Sequence, residues 1–183
     1  MSPSETCLKY MKKFGVFVGR LCPIHLGHER TIERMIADCG VENCLLVVGS
    51  SNTPMSLRYS FNYQERRKFV KMIFPKIKIV GLPDYNNDGQ WLLALDDLTN
   101  LANTKSLSVV YYGGCDEDVR YFTDDGRKTK IVNRFDGSTP KISATEVRDA
   151  LIQNRNVSGL VNKKIEKEIK KLFAEKWEIF KKM

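Results

Sequence analysis

No stretch of this chain approaches the roughly 18 consecutive apolar residues that a membrane-spanning helix requires. Met1 to Lys12 also lacks the apolar run and small-residue cleavage site of a secretory leader. Together these absences predict an intracellular, cytoplasmic protein with no membrane partner. The five cysteines, Cys7, Cys22, Cys39, Cys44 and Cys115, contain no C-x-x-C pair, are odd in number and lie in or beside apolar segments. That pattern argues for reduced core thiols against a disulfide framework. Both standard nucleotide fingerprints are missing: no G-x-G-x-x-G opens a helix, and Gly126-Arg127-Lys128-Thr129 lacks the spacing of a P-loop. A hydride-transfer enzyme and a P-loop hydrolase are therefore disfavoured. With no internal repeat, low-complexity tract or linker, the 183 residues read as one domain over residues 13–183, preceded by a short extension at 1–12.

What the chain does have is positive charge, a net +8, which attracts anions of any kind without choosing among them. Much of the excess lies in the tail from Lys163 to Lys182, where Ile165, Ile169, Leu172 and Phe173 recur at helical spacing. Those lysines read as the solvated face of an amphipathic helix.

Short apolar, β-branched runs at Phe14 to Gly19, Cys44 to Ser50, Ile77 to Leu82, Ser108 to Tyr112 and Lys130 to Phe135 have the character of buried strands. Helical stripes separate the first four: Ile32, Met35, Ile36 and Cys39; Phe69, Val70, Met72 and Ile73; Leu92, Leu95 and Ala102. Alternating strand and helix predicts an α/β, Rossmann-like doubly wound domain with a five-stranded parallel sheet and a C-terminal basic helix. Asn62-x-x-Glu65 resembles a capping box, and Ser143-x-x-Glu146 is one in the strict sense. In such sheets the ligand lies outside the carboxyl ends of the strands, so the loop after the first strand matters most.

That loop runs from Gly19-Arg20 through Pro23 to His25-Leu26-Gly27-His28 and places both histidines of the chain on one turn at a helix mouth. A helix N-terminus offers N–H groups and partial positive charge, and Gly27 allows close backbone approach, so phosphate is the expected guest. Cys22-x-x-His25-x-x-His28 also contains three possible zinc ligands, but no fourth has an evident spacing, and no resident metal is expected.

Gly19-Arg20 followed by Pro23, His25, Gly27 and His28, together with Ile142-Ser143-Ala144-Thr145-Glu146-Val147-Arg148, resembles the paired signatures of the HxGH nucleotidyltransferases. Within that superfamily the chain is most similar to archaeal-type nicotinamide mononucleotide adenylyltransferases and the matching domain of bifunctional enzymes. Gly49-Ser50 with Arg58, Phe61 and Glu65-Arg66, and Pro83-Asp84 with Trp91, resemble further family segments. Leu21, Cys22, Asp88 and Gly113-Gly114-Cys115-Asp116 depart from the pattern.

The resemblance implies transfer of an adenylyl group from ATP to nicotinamide mononucleotide, with Mg2+ entering alongside ATP. It implies that Gly19, Arg20, His25, Gly27, His28, Ser143, Thr145 and Arg148 bind ATP, and that His25, His28, Arg20, Arg58 and Arg148 carry the chemistry. Asp84 and Trp91 would face the nicotinamide nucleotide, while Arg66 reads as a surface residue or scaffold. No hydrolase domain is expected after the basic helix, and a homo-oligomer is left open. The competing readings are another HxGH transferase, using CTP or accepting pantetheine phosphate or flavin mononucleotide, and a non-catalytic nucleic-acid-binding module. The last is disfavoured because basic residues do not alternate with aromatics in one segment.

Overall fold

The computed structural model describes residues 12–132 and 141–182. Five strands alternate with helices along the chain: β1 (Lys13–Gly19), α1 (Leu26–Cys39), β2 (Cys44–Val48), α2 (Tyr63–Ile73), β3 (Lys78–Gly81), α3 (Asp88–Ala102), β4 (Ser108–Gly113), α4 (Asp116–Asp124) and β5 (Thr129–Ile131). Two helices follow, α5 (Ala144–Ile152) and α6 (Lys163–Phe180). The strands form one parallel sheet in the order β3-β2-β1-β4-β5. Its direction of growth reverses between β1 and β4, and in sheets of this kind that switch point is where a ligand crevice forms.

Alternation along each strand feeds two cores. Phe17, Leu46, Val48, Val110 and Tyr112 face one side and pack with residues of α1, α2, α5 and α6, including Ile32, Met35, Phe69, Val147, Ile169 and Phe173. Phe14, Val16, Leu45, Val47 and Tyr111 face the other, under Leu95 of α3 and Val119 and Phe122 of α4. The central strands are covered on both faces, which is why their sequences are almost unbroken apolar runs.

The strand bounds differ from the sequence reading by one or two residues, and the fifth begins at Thr129; the predicted extension through Asn133 to Phe135 lies outside the described residues, as does Cys7. Helix α4 was not legible, because only Val119 and Phe122 of its nine residues are buried. The Asn62 box is complete: Glu65 N–H donates to Asn62 Oδ1 at 3.0 Å and Asn62 N–H to Glu65 Oε2 at 2.9 Å. At Ser143 the hydroxyl accepts from Glu146 N–H at 3.1 Å, so the cap itself is made.

Helix α6 buries Ile165, Ile169, Phe173 and Phe180 against the sheet side, and Lys163, Lys164, Lys167, Lys170 and Lys171 are exposed as expected. Lys176 is the exception. Its side chain is only 13% exposed, pairs with Glu65, donates to Ser60 O at 3.3 Å and lies 5.3 Å from the Phe61 ring centroid. This ion pair ties the C-terminal helix to the start of α2.

Candidate active site

The loop between β1 and α1 has a built-in bend. Leu21 is buried in the left-handed region at φ 51°, a conformation that costs a non-glycine residue about 1–2 kcal/mol. The Cys22–Pro23 peptide is cis. His25, predicted on the loop, is the N-cap of α1, so the helix starts earlier than the sequence suggested and His28 lies inside its first turn. The two imidazoles stack with centroids 3.7 Å apart, and His25 N–H donates to His28 Nδ1 at 3.4 Å. A neutral imidazole that accepts at Nδ1 carries its proton on Nε2.

The helix N-terminus offers less than expected. Leu26 N–H donates to Leu160 O at 3.0 Å and His28 N–H to His25 O at 2.9 Å. With those two first-turn donors occupied, anion binding depends more on side chains. The possible zinc trio is not assembled: the Cys22 thiol points inward to Phe61 O at 3.7 Å and burial pushes its pKa up. No group of three potential ligands occurs among the described residues.

The side chains needed for an anion converge from distant segments. Arg20, His25, His28, Arg58, Tyr59, Ser143, Thr145 and Arg148 line one cleft of ≈ 360 Å³. Arg148 reaches across from α5, donating to Cys22 O at 2.9 Å and to Thr145 Oγ1 at 2.9 Å, so it braces the β1 loop while facing the cleft. Burial makes its charged form less favourable, and the nearby Arg20 and Arg58 cations add to that. Three guanidinium groups crowded into one cleft suit a polyphosphate, which neutralises them and matches their planar forks. Gly19 and Gly27, expected at the ATP site, are not among the residues lining this cleft: Gly49 N–H donates to Gly19 O at 3.0 Å, and Gly27 is buried in the first turn of α1.

A second cleft of ≈ 380 Å³ adjoins the first through Asp118 and is lined by Val18, Asp84, Tyr85, Asp88, Trp91, Tyr121 and Phe122. Trp91 is half-buried, stacked near Phe122 at 6.2 Å and edge-on to Tyr121 at 5.7 Å. It is therefore a cleft wall and a core contact at once. Asp84 is more constrained than a turn residue: Oδ1 accepts from Ser50 Oγ at 3.0 Å, Oδ2 from Thr53 Oγ1 at 2.8 Å, and its amide donates to Asn52 Oδ1 at 2.8 Å. A carboxylate has about four lone-pair sites, so it can still accept from a ligand.

No protein-family model matches the sequence. Curated relatives do. The chain is 27% identical over 165 residues to a nicotinamide-nucleotide adenylyltransferase of Thermococcus sibiricus, covering 86% of this chain and 83% of that protein. It is 28% identical over 162 residues to the enzyme of the same name from Saccharolobus solfataricus, covering 85% and 88%. Among solved structures, a bifunctional NMN adenylyltransferase/ADP ribose pyrophosphatase from Francisella tularensis has the same fold, with a TM-score of 0.72 at 17% identity over 82% of this chain. The chain is thus similar in sequence to these nucleotidyltransferases over most of its length and shares the fold of the bifunctional protein. It spans about half of the bifunctional protein, 45% of its length.

Among the residues lining the two clefts, Tyr59, Asp118 and Tyr121 escaped the sequence reading. Tyr59 lines the first cleft, with its hydroxyl 3.5 Å from Ser50 Oγ; the Ser50 hydrogen bond and the Arg20 guanidinium hold its phenol below the usual range. Asp118 and Tyr121 lie on α4. The one available signal was the acidic run Asp116, Glu117, Asp118, which suits a helix start. Helix α4 packs close because β4 ends in glycine: a Cβ on Gly113 would fall 2.5 Å from a Val119 methyl. Arg66 is neither a ligand nor a surface residue but buried scaffold, 1% exposed.

Proposed function

We infer that the protein transfers the adenylyl group of ATP to nicotinamide mononucleotide, releasing pyrophosphate and forming NAD. The observation that carries this reading is the junction of the two clefts, one cationic and one aromatic, at the switch point of the sheet. A phosphate oxygen of the mononucleotide attacks the α-phosphorus of ATP in line; the new P–O bond forms as the bond to the bridging oxygen of pyrophosphate breaks. No covalent enzyme intermediate is needed, so catalysis consists of aligning two anions and stabilising the charge that builds on the transferred group.

His28 Nε2–H donates to the α-phosphoryl oxygens, with His25 stacked beneath it to hold the ring. Arg20, Arg58 and Arg148 bind the β- and γ-phosphates and the departing pyrophosphate, and Ser143 and Thr145 complete the donors at the mouth of α5. Mg2+ would accompany ATP, held by phosphates and water with Asp118 as the adjoining carboxylate; the ion keeps much of its hydration and supplies further charge neutralisation.

In the second cleft, Trp91 presents an aromatic face to the cationic ring. Among its described lining residues are Asp84, Asp88 and Asp118 and no Lys or Arg, which favours the neutral carboxamide over the carboxylate of nicotinate mononucleotide. The test is a product screen: ATP or CTP with a panel of acceptors, including both mononucleotides, followed by assay of pyrophosphate and the new dinucleotide. Turnover of another pair with none of ATP plus nicotinamide mononucleotide would overturn the reading.

A further inference from the structure

The buried guanidinium of Arg66 is bonded to the backbone of two loops, those after β1 and β2. Its NH1 donates to Arg20 O at 2.7 Å and to Gly49 O at 2.8 Å, NH2 donates to Ser50 O at 2.9 Å, and Nε lies 3.4 Å from Asn62 O. Its hydrogen-bond partners among the described residues are carbonyl dipoles, an uncommon setting for a cation that is only 1% exposed, since buried charges are ordinarily met by opposite charge. Burial correspondingly makes its charged form less favourable.

The acceptors have a pattern. Arg20 O belongs to the peptide leading into Leu21, and Gly49 O to the peptide leading into Ser50; both following residues are held in the left-handed region at φ 51°. Arg66 thus clamps the peptide planes that enter the two strained positions of the site. The first loop carries Arg20 and leads to His25, which line the phosphate cleft. In the second loop, Ser50 is bonded through its side chain to Asp84 of the aromatic cleft and lies 3.5 Å from Tyr59 OH. One planar group therefore sets the spacing of the donor-side loop against the acceptor-side loop.

We propose that Arg66 is a positioning residue for adenylyl transfer, fixing the register between the two loops so that the attacking oxygen and the α-phosphorus meet in line. The inference rests on the transferase reading above. A lysine at 66 retains charge but delivers its N–H groups from one point, so it cannot hold carbonyls on both loops in a planar fork. Misalignment of about 1 Å lowers the rate of such a reaction by up to roughly 100-fold while each substrate still binds in its own cleft.

The experiment compares the unchanged protein with Arg66→Lys, Arg66→Gln and, as a control, Arg67→Lys on the exposed face of the same helix. Circular dichroism and Tm establish the folded fraction, and pyrophosphate release is measured with each substrate varied in turn. The expected result is a kcat per folded molecule lowered roughly 10- to 100-fold in the Arg66 variants. The KM of each substrate should stay within about threefold and Arg67→Lys should match the parent. An Arg66 variant that folds and keeps its kcat, or one whose loss is confined to the KM of a single substrate, would overturn the proposal. Failure of both variants to fold would overturn it in favour of a purely structural role. Absence of turnover by the unchanged protein would sink the transferase reading itself, and this inference with it.

Discussion

Replacing Arg148 by lysine separates the two jobs its guanidinium does. Of the five N–H donors of an arginine, one is directed to Cys22 O at 2.9 Å and one to Thr145 Oγ1 at 2.9 Å, while the side chain also lines the cationic cleft. A lysine ammonium reaches either the Cys22 carbonyl or the cleft, since its donors radiate from one atom. Losing one charged hydrogen bond to a neutral, partly buried acceptor costs about 1–2 kcal/mol of stability, which in a domain of this size lowers Tm by about 2–8 °C. Losing a charge-assisted bond to a phosphate oxygen costs about 1.5–3 kcal/mol, or roughly 10- to 150-fold in kcat/KM for ATP. The assay is pyrophosphate release with ATP varied at saturating mononucleotide, alongside a thermal melt. A variant with lowered Tm but kcat/KM for ATP within about threefold of the parent would mean that Arg148 only braces the β1 loop, and the phosphate assignment would fall.

His28→Ala should lower kcat about 100- to 1000-fold with little change in substrate binding, because a preorganised donor matters most as charge builds on the α-phosphoryl group; near-normal turnover would refute that role. Trp91→Phe keeps the packing on Phe122 and should raise KM for nicotinamide mononucleotide several-fold, with KM for ATP unchanged, whereas equal weakening of both substrates would make Trp91 a core residue only. Trp91→Ala should additionally lower Tm, since the indole is half-buried in the second core. Glu29 gives a pH test: burial raises its pKa, and although Asn162 Nδ2 donates to Oε2 at 2.8 Å, Oε1 is buried without a hydrogen-bond partner among the described residues. A carboxyl whose folded pKa is raised stabilises the fold below its unfolded value and loses that contribution as pH rises through the folded one. Glu29→Gln should therefore raise Tm at pH 8, with the gain shrinking as the solution is acidified toward pH 4; a gain that grows on acidification would contradict the burial argument.

The features legible in the chain alone were those with a local cause. The apolar runs at β1, β2 and β4 and the stripe Ile32, Met35, Cys39 announce a covered parallel sheet, because strand and helix periods are properties of neighbouring residues. His25, Gly27 and His28 lie on one turn, and Ser143, Thr145 and Arg148 on another, so both motifs could be read as phosphate-facing helix mouths. Tertiary structure decided what crosses between segments. Arg66 follows Glu65 on an amphipathic helix and looks like any solvated arginine, yet three carbonyls from two loops draw it into the interior. Lys176 looks like one more lysine of a wet face, but Glu65 and the Phe61 ring cover it. The bond from Arg148 to Cys22 O spans 126 positions of sequence, and the acidic first turn of α4 reaches the site only because Gly113 lets that helix close on β4. Periodicity and caps are written in adjacent residues, whereas burial of a charge is settled by whichever distant backbone carbonyls the fold brings to meet it.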